Sequence, residues 1–249
     1  MVISFSTHKG GTGKTTSSIN VAASLARVQK NTLLIDLDPQ GHSSIGLNVE
    51  LAYEDPNIAD VLSERVSLGD IIQETAVPGL WLAPSNLRLA SVAESLFTKF
   101  KREERLAHSL EPIKERYEWV VIDCPPALGV LTANAVSASD AIIIPCQMGA
   151  RALDGLGDLL DLIHLLKYKK FERWHILLTM IDPRKTATHE FFQELLKPYE
   201  AKILKTKIFV TEALNQAQIA RKPIFSFDPK SRGAQNYEEL TQELLGLYP

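Results

Sequence analysis

Residues 9 to 16 read Lys-Gly-Gly-Thr-Gly-Lys-Thr-Thr, between the apolar run VISFST (2 to 7) and an amphipathic stretch over 14 to 29. Gly10, Gly11 and Gly13 let the backbone curl so that successive N–H groups point inward as an anion nest, with Thr12 between them. A helix opening at Lys14 adds the positive end of its dipole. A strand before and a helix behind are what a phosphate-binding loop requires. Lys14 supplies a point charge for β and γ phosphates, the Thr15 hydroxyl is placed to ligate magnesium, and Thr16 continues the cradle. The ordinary spacing G-x-x-x-x-G-K-[ST] is not fully met, and the motif reads K-G-G-x-G-K-T. Lys9 sets a second cation near Lys14, which is unfavourable without an anion between them. Three aspartates end apolar runs: Asp36 and Asp38 in LLIDLDPQG, and Asp123 in VVIDCPP. Ligands bind at strand carboxyl ends in doubly wound sheets. Asp123 closes a run that would bury it, so it needs a cation or a donor.

The elements that must hold these residues alternate between short apolar runs and longer amphipathic stretches, the pattern of βαβ units. Strands are expected at 2 to 7, 32 to 38, 80 to 85, 119 to 126, 141 to 146 and 175 to 181, and their lack of clean polar alternation predicts cover on both faces. Helices are expected at 14 to 29, 87 to 117 (one, or two with Pro112 opening the second), 130 to 138, 152 to 168, 187 to 197 and 234 to 246. Gly46 to Pro56 is the least regular stretch. The fold class is α/β, a doubly wound, mostly parallel twisted sheet flanked by helices, of the P-loop NTPase type.

The 249 residues are 45% hydrophobic and 23% charged, enough apolar material for a large core and too much for a disordered or coiled-coil chain. One domain over 1 to 249 is expected. Cys124 and Cys146 lie inside apolar runs, away from disulfide-framework or metal-ligand spacing, which points to a reducing compartment. The opening residues have no basic lead and apolar stretch, and no segment nears 18 uninterrupted apolar residues, so a cytoplasmic protein outside the membrane is expected. The net charge of −3 hides an asymmetry: residues 165 to 232 carry 14 Lys and Arg against 7 Asp and Glu, a local +7 that leaves −10 for the rest. Such lysines suit a polyanion, and they also serve simply to solvate helix faces.

With Lys9 the sequence resembles the deviant Walker A ATPases, which include the ParA and Soj partition proteins, MinD and the iron protein of nitrogenase. DLDPQG (36 to 41), VVIDCPP (120 to 126), P-x-Q (145 to 147), ALDGL (152 to 156) and DPKSRGAQNYEEL (228 to 240) extend the likeness to ParA over nearly the whole chain. The resemblance implies ATP and Mg2+ as cofactors and an ATP-dependent homodimer in which Lys9 reaches the partner's nucleotide. It also implies that Lys9, Lys14 and Asp38 serve catalysis, Asp38 by orienting the attacking water. Asp123 becomes the Walker B aspartate, with Thr15 and Asp36 beside it at the metal. Pro125-Pro126 and Gly41 to Asn48 look like two switch regions. For the adenine base the resemblance offers Thr179, Met180 and Asp182, with Pro223 to Asp228 closing the pocket from the other side. No arginine finger is evident, which suggests slow turnover stimulated by a partner.

The chain departs from the family's P-x-Q-x-E with Gly149 at the acidic position and Arg151 two residues on, and Phe209 stands where relatives often carry an arginine used for DNA. Lys202, Lys205, Lys207, Arg221, Lys222, Lys230 and Arg232 nevertheless crowd the same region, alongside Lys167, Lys169, Lys170 and Arg173. Lys202, Lys205, Arg221, Lys222 and Arg232 are the candidates for non-sequence-specific DNA binding through phosphates. No separate N-terminal helix-turn-helix domain is expected, because Lys9 already belongs to the first strand and loop. The resulting expectation is a cytoplasmic, nucleoid-associated positioning ATPase that moves a plasmid, a chromosome or another cargo, with hydrolysis triggered by a ParB-like or cargo-adaptor protein. A MinD-like membrane role is the rival. The end, NYEELTQELLGLYP, holds three Glu and no Lys or Arg, which argues against anionic lipid. Two strand cysteines do not provide the shared cluster of a nitrogenase-type carrier.

Overall fold

Alternate residues of each apolar run face opposite sides of one sheet, and that period of two is what covers the sheet with helices on both faces. The computed structural model describes residues 1–148, 153, 155–168, 171–184, 192 and 194–249. Its strands are β1 (Val2–Phe5), β2 (Thr32–Asp36), β3 (Gln73–Glu74), β4 (Leu80–Ala83), β5 (Trp119–Asp123), β6 (Ala141–Gln147), β7 (Trp174–Ile181) and β8 (Ile203–Phe209). They form an eight-stranded sheet in the order β3-β4-β2-β5-β1-β6-β7-β8. Every neighbouring pair is parallel except β3 with β4. The doubly wound fold class expected from the sequence is therefore the fold observed.

The helices are α1 (Lys14–Arg27), α2 (His42–Gly46), α3 (Ile58–Leu62), α4 (Leu68–Ile71), α5 (Arg88–Leu96), α6 (Arg105–Leu110), α7 (Val130–Ala138), α8 (Leu156–Lys167), α9 (Glu212–Ile219), α10 (Ile224–Phe227) and α11 (Arg232–Leu247). Leu34, Val121 and Ile143 join the core beneath α1 and α11. Leu33, Ile35, Val120 and Ile122, their sequence neighbours, turn the other way into the core beneath α3 to α7. Ile142, Ile144 and Ile176 meet α8. After β1 the chain crosses to β2 on one side of β5, and β6, β7 and β8 later build out from the other side of β1. The crevice beyond the carboxyl end of β1 is therefore the topological switch point where such sheets bind ligands.

Several elements differ from expectation. The stretch 87 to 117 is neither one helix nor two joined at Pro112: α5 and α6 are separated by turns, α6 stops before the proline, and a 3-10 turn at Lys114–Arg116 follows. Glu111, before the proline, keeps helical dihedrals (φ −50°, ψ −45°), but Pro112 has no N–H with which to carry the helical ladder on, which explains where α6 ends. No strand is expected over 203 to 209, where β8 forms within the basic region. Leu204 and Ile208 are buried while Lys205 and Lys207 are exposed, as suits an edge strand with one covered face. Short α2, α3, α4, α9 and α10 carry too few turns to register as periodic runs. Most of the expected helix at 187 to 197 lies outside the described residues, as do Gly149, Arg151, Lys169, Lys170 and two residues of ALDGL, Ala152 and Asp154.

Candidate active site

The loop after β1 gets its curl from Gly11 and Gly13, whose φ values of +71° and +85° lie in the left-handed region that side chains resist. Gly13 is the residue at the α1 N-terminus, where no side chain caps the helix and the first turn holds no acid. Ser17 N–H donates to the Gly13 carbonyl at 2.9 Å, so the N–H groups of Lys14, Thr15 and Thr16 precede the first helical bond. They and the dipole are left for an anion. By contrast Thr211 caps α9 and Ser231 caps α11 with their hydroxyls.

Lys14 is only 6% exposed, and its Nζ donates to the Lys9 carbonyl at 2.9 Å. Burial pushes its pKa down, opposed by the charges of Asp123, Cys124 and Asp38. A phosphate arriving here supplies the countercharge that burial withholds. The Thr12 carbonyl accepts from Thr179 Oγ1 at 2.8 Å, tying the loop to β7, while the buried Thr12 hydroxyl has no protein partner. A buried hydroxyl without a partner is costly unless something else meets it.

Asp36 and Asp123 stand opposite each other in the β2/β5 register, both fully buried. Asp123 accepts from Ser43 Oγ at 2.7 Å and from Ser18 Oγ at 3.1 Å, and the Thr15 hydroxyl also donates to it. That bond leaves the lone pairs of the Thr15 oxygen for a cation. Asp36 accepts from the Ser44 N–H and hydroxyl, each at 2.8 Å, and from the Asp38 N–H at 3.2 Å. Burial first, with Asp123 alongside, pushes the Asp36 carboxyl up to about 7. Burial likewise raises Asp123, to about 6, against the pull of the Ser43, Thr15 and Ser18 hydroxyls. The two carboxyls titrate as a pair. Asp38 is also buried, its Oδ1 accepting from the Gln40 N–H at 2.9 Å.

A cavity of about 520 Å³ opens over this loop. Its wall holds Gly10, Gly11, Gly13, Lys14, Thr15 and Thr16, then Asp38 and Gln40 after β2, and His42, Ile45 and Gly46 of α2. Pro126, Met180, Leu214, Ala217, Gln218 and Lys222 close it. A smaller recess of about 160 Å³ shares Gly13, Thr16 and Met180 and reaches Thr179 and Val210. Lys9, Thr12, Asp36 and Asp123 lie outside the cavity wall. The donors gathered around Thr15, Asp38 and Asp123 are hard oxygens, the kind magnesium takes. No group of three His, Cys, Asp or Glu among the described residues can hold a metal alone. A cation here must complete its shell with phosphate oxygens and water, which is magnesium's habit in nucleotide sites. The residues present fit it.

The sequence reading missed Ser18, Ser43, Ser44, Leu214 and Gln218. Ser18, one turn beyond Lys14, was findable by helical spacing. Gln218, which donates to Thr16 Oγ1, had no such signal. Asp182 is bound to the Arg184 side chain, and it lines neither cavity. Pro223 to Asp228 lies just behind the wall, with the Ile224 N–H donating to Asn20 Oδ1 at 2.7 Å.

The five DNA candidates do not share one environment. Lys202 pairs with Glu172 and lies 5.1 Å above the Trp174 ring. Arg221 pairs with Glu50, and Lys222 is in the cavity wall. Arg232 stacks 3.6 Å above the Phe209 ring, in the place the sequence reading gave to a departure from the family. Lys205 is exposed.

Comparison with known proteins bears on this site directly. The family described as AAA domain matches residues 1–176. The chain is 39% identical to the sporulation initiation inhibitor protein Soj of Bacillus subtilis, over 98% of this chain and 97% of that one. A structure described as cobyrinic acid a,c-diamide synthase from Mycobacterium smegmatis, with bound ATP analog and magnesium, superposes with a TM-score of 0.84 at 29% identity, covering 98% of this chain and 93% of that one. A protein of Borrelia burgdorferi assigned to plasmid partition, bound to AMPPNP, gives 0.83 at 28% identity, covering 99% and 98%. Matches of this extent, over a loop already seen to be built for phosphate, settle the family: the chain belongs to the ParA/MinD-type P-loop ATPases.

Proposed function

We propose that the protein is a ParA-like ATPase that dimerises on ATP, binds DNA through its phosphates without reading sequence, and positions a plasmid, a chromosome or another cargo until a partner protein triggers hydrolysis. The observation that carries this reading is the uncapped α1 N-terminus joined to the two-lysine loop, with Lys14 in the cavity and Lys9 outside its wall. The likeness to Soj along almost all of both chains supports the partition role.

Hydrolysis asks little covalent chemistry of the protein. Loop N–H groups and Lys14 hold the phosphates, and Asp38 in the cavity wall holds the attacking water in line. Thr15, backed by Asp123, holds the cation. Magnesium, when bound, neutralises charge developing on the β and γ oxygens. The product pair is ADP and phosphate. The base is assigned to the smaller recess beside Met180. The membrane rival is disfavoured because the last turn of α11 holds no basic residue to meet anionic lipid.

Gel shifts with plasmid DNA, with and without ATP and Mg2+ at two salt concentrations, test the reading. Retention that needs both and fades at the higher salt is expected. Retention indifferent to ATP, or binding to anionic vesicles in place of DNA, would overturn it.

A further inference from the structure

Asp123 is the one fully buried acid of the site that touches the magnesium-ligating threonine, and its two oxygens are shared between different elements. Oδ1 accepts from Ser18 on α1 at 3.1 Å, and Oδ2 accepts from Ser43 on α2 at 2.7 Å. Ser43 is itself fully buried, so it cannot touch nucleotide. A carboxyl torsion is broad and nearly free unless both oxygens are held. A buried acceptor left without a donor carries its full desolvation cost.

We infer that Ser43 is a positioning residue for the reaction: its hydroxyl fixes the plane of Asp123, and through Asp123 the orientation of the Thr15 hydroxyl that receives the cation. The alternative is that Ser43 merely fastens α2 to the sheet, but α2 has a separate fastening. Ser44 donates twice to Asp36, and its hydroxyl accepts from the Ser85 N–H at 3.1 Å. Gly41, just ahead, packs so closely on the Ser85 carbonyl that no side chain fits. With α2 anchored by these contacts, loss of the Ser43 hydroxyl acts on Asp123 and not on the helix. The two serines thus divide the work, Ser44 holding the helix on β2 and Ser43 reaching across to β5.

This inference rests on the magnesium-nucleotide reading above, and one titration separates the two. The full-length protein is mixed with N-methylanthraniloyl-ATP in EDTA and then titrated with Mg2+. If the unaltered protein shows no Mg2+-dependent gain in affinity, the nucleotide reading itself fails. Given that gain, Ser43→Ala is expected to raise the Mg2+ concentration for half-saturation at least about tenfold, with affinity in EDTA changed less than about twofold, the scale seen when a partner behind a metal ligand is removed. In turnover, kcat falls while KM for ATP holds. Ser43→Thr, which keeps the hydroxyl, restores the parental value. Ser43→Cys, close in volume and a weak donor, is expected to shift the titration as alanine does, and it serves if the alanine variant does not fold. An unshifted Mg2+ titration in a folded alanine or cysteine variant, or an equal loss of affinity in EDTA, would overturn the inference.

Discussion

At the residue scale, the site is built around charges that burial leaves uncompensated. Lys14 is held by a carbonyl rather than a carboxylate, its pKa lowered first of all by burial. Replacing it with Gln removes the ammonium while keeping much of the bulk. Hydrogen bonds to charged groups are worth about 1.5–3 kcal/mol, so ATP affinity is expected to fall about ten- to hundredfold in calorimetric titration, with the fold intact by circular dichroism. A smaller loss would mean that the backbone nest carries the phosphates unaided. Far from the site, His175 offers a pH test. It is half-buried, Tyr248 hydroxyl lies 2.8 Å from its Nδ1, and burial, helped by Lys202, holds its pKa below the ordinary histidine value. The unfolded chain therefore binds the proton more tightly than the folded one. The stability His175 contributes is full above the ordinary value and is lost as pH falls through the depressed one. The melting-temperature gap between the parent and His175→Gln is expected to shrink from about pH 7 to about pH 5. A gap that stays constant with pH refutes this.

At the element scale, α2 matters most, because it carries His42, Ile45 and Gly46 into the cavity wall and the two serines onto the buried acids. It starts at Gly41, where φ is +64° and an added Cβ would lie 2.8 Å from the Ser85 carbonyl oxygen. Gly79 has φ of +80° but nothing nearer than 3.8 Å. Gly41→Ala is expected to cost about 2 kcal/mol or more in denaturant unfolding and to weaken ATP binding, whereas Gly79→Ala bears only the strain of its positive φ, of order 1 kcal/mol. Equal losses would show that the contact with Ser85 is irrelevant. The phosphate loop was legible in sequence because its determinants are local: strand, glycines, lysine and helix lie within one stretch of chain. β8 and α9 were not, since tertiary partners complete them. Leu214 of α9 packs where an added Cβ on Gly233 would come within 2.8 Å, and Glu243 of α11 accepts the Lys205 and Thr206 N–H groups at 2.7 and 2.9 Å, covering the β8 edge. The grip of Ser43 on Asp123 spans 80 residues, beyond any spacing rule. The DNA candidates were chosen by sequence density, and density does not report that Lys202 and Arg221 meet acids from distant segments.

At the scale of the whole molecule, Lys9 decides how the parts act together. Its carbonyl is fixed by Lys14, it lies outside the wall of its own cavity, and burial raises the pKa of the nearby Cys146 thiol against the opposing pull of the Lys9 charge. A second cation in such a loop is unfavourable without an anion beside it. On the proposed function Lys9 meets the partner's nucleotide, so that ATP would join two copies and double the cationic surface offered to DNA, and hydrolysis would separate them. Asp38, in the cavity wall, is assigned to the water and not to the joining, so the two residues should separate cleanly by experiment. Multi-angle light scattering under saturating Mg2+ and ATP is expected to find Asp38→Ala as a lasting dimer and Lys9→Ala as a monomer, with nucleotide still bound to each. If Lys9→Ala dimerises on ATP as the parent does, the second lysine serves its own loop, and the coupling of nucleotide to assembly must lie in α2 and the segments facing it. If Asp38→Ala remains monomeric with ATP bound, Asp38 takes part in joining the copies, and water placement falls to another group of the cavity wall.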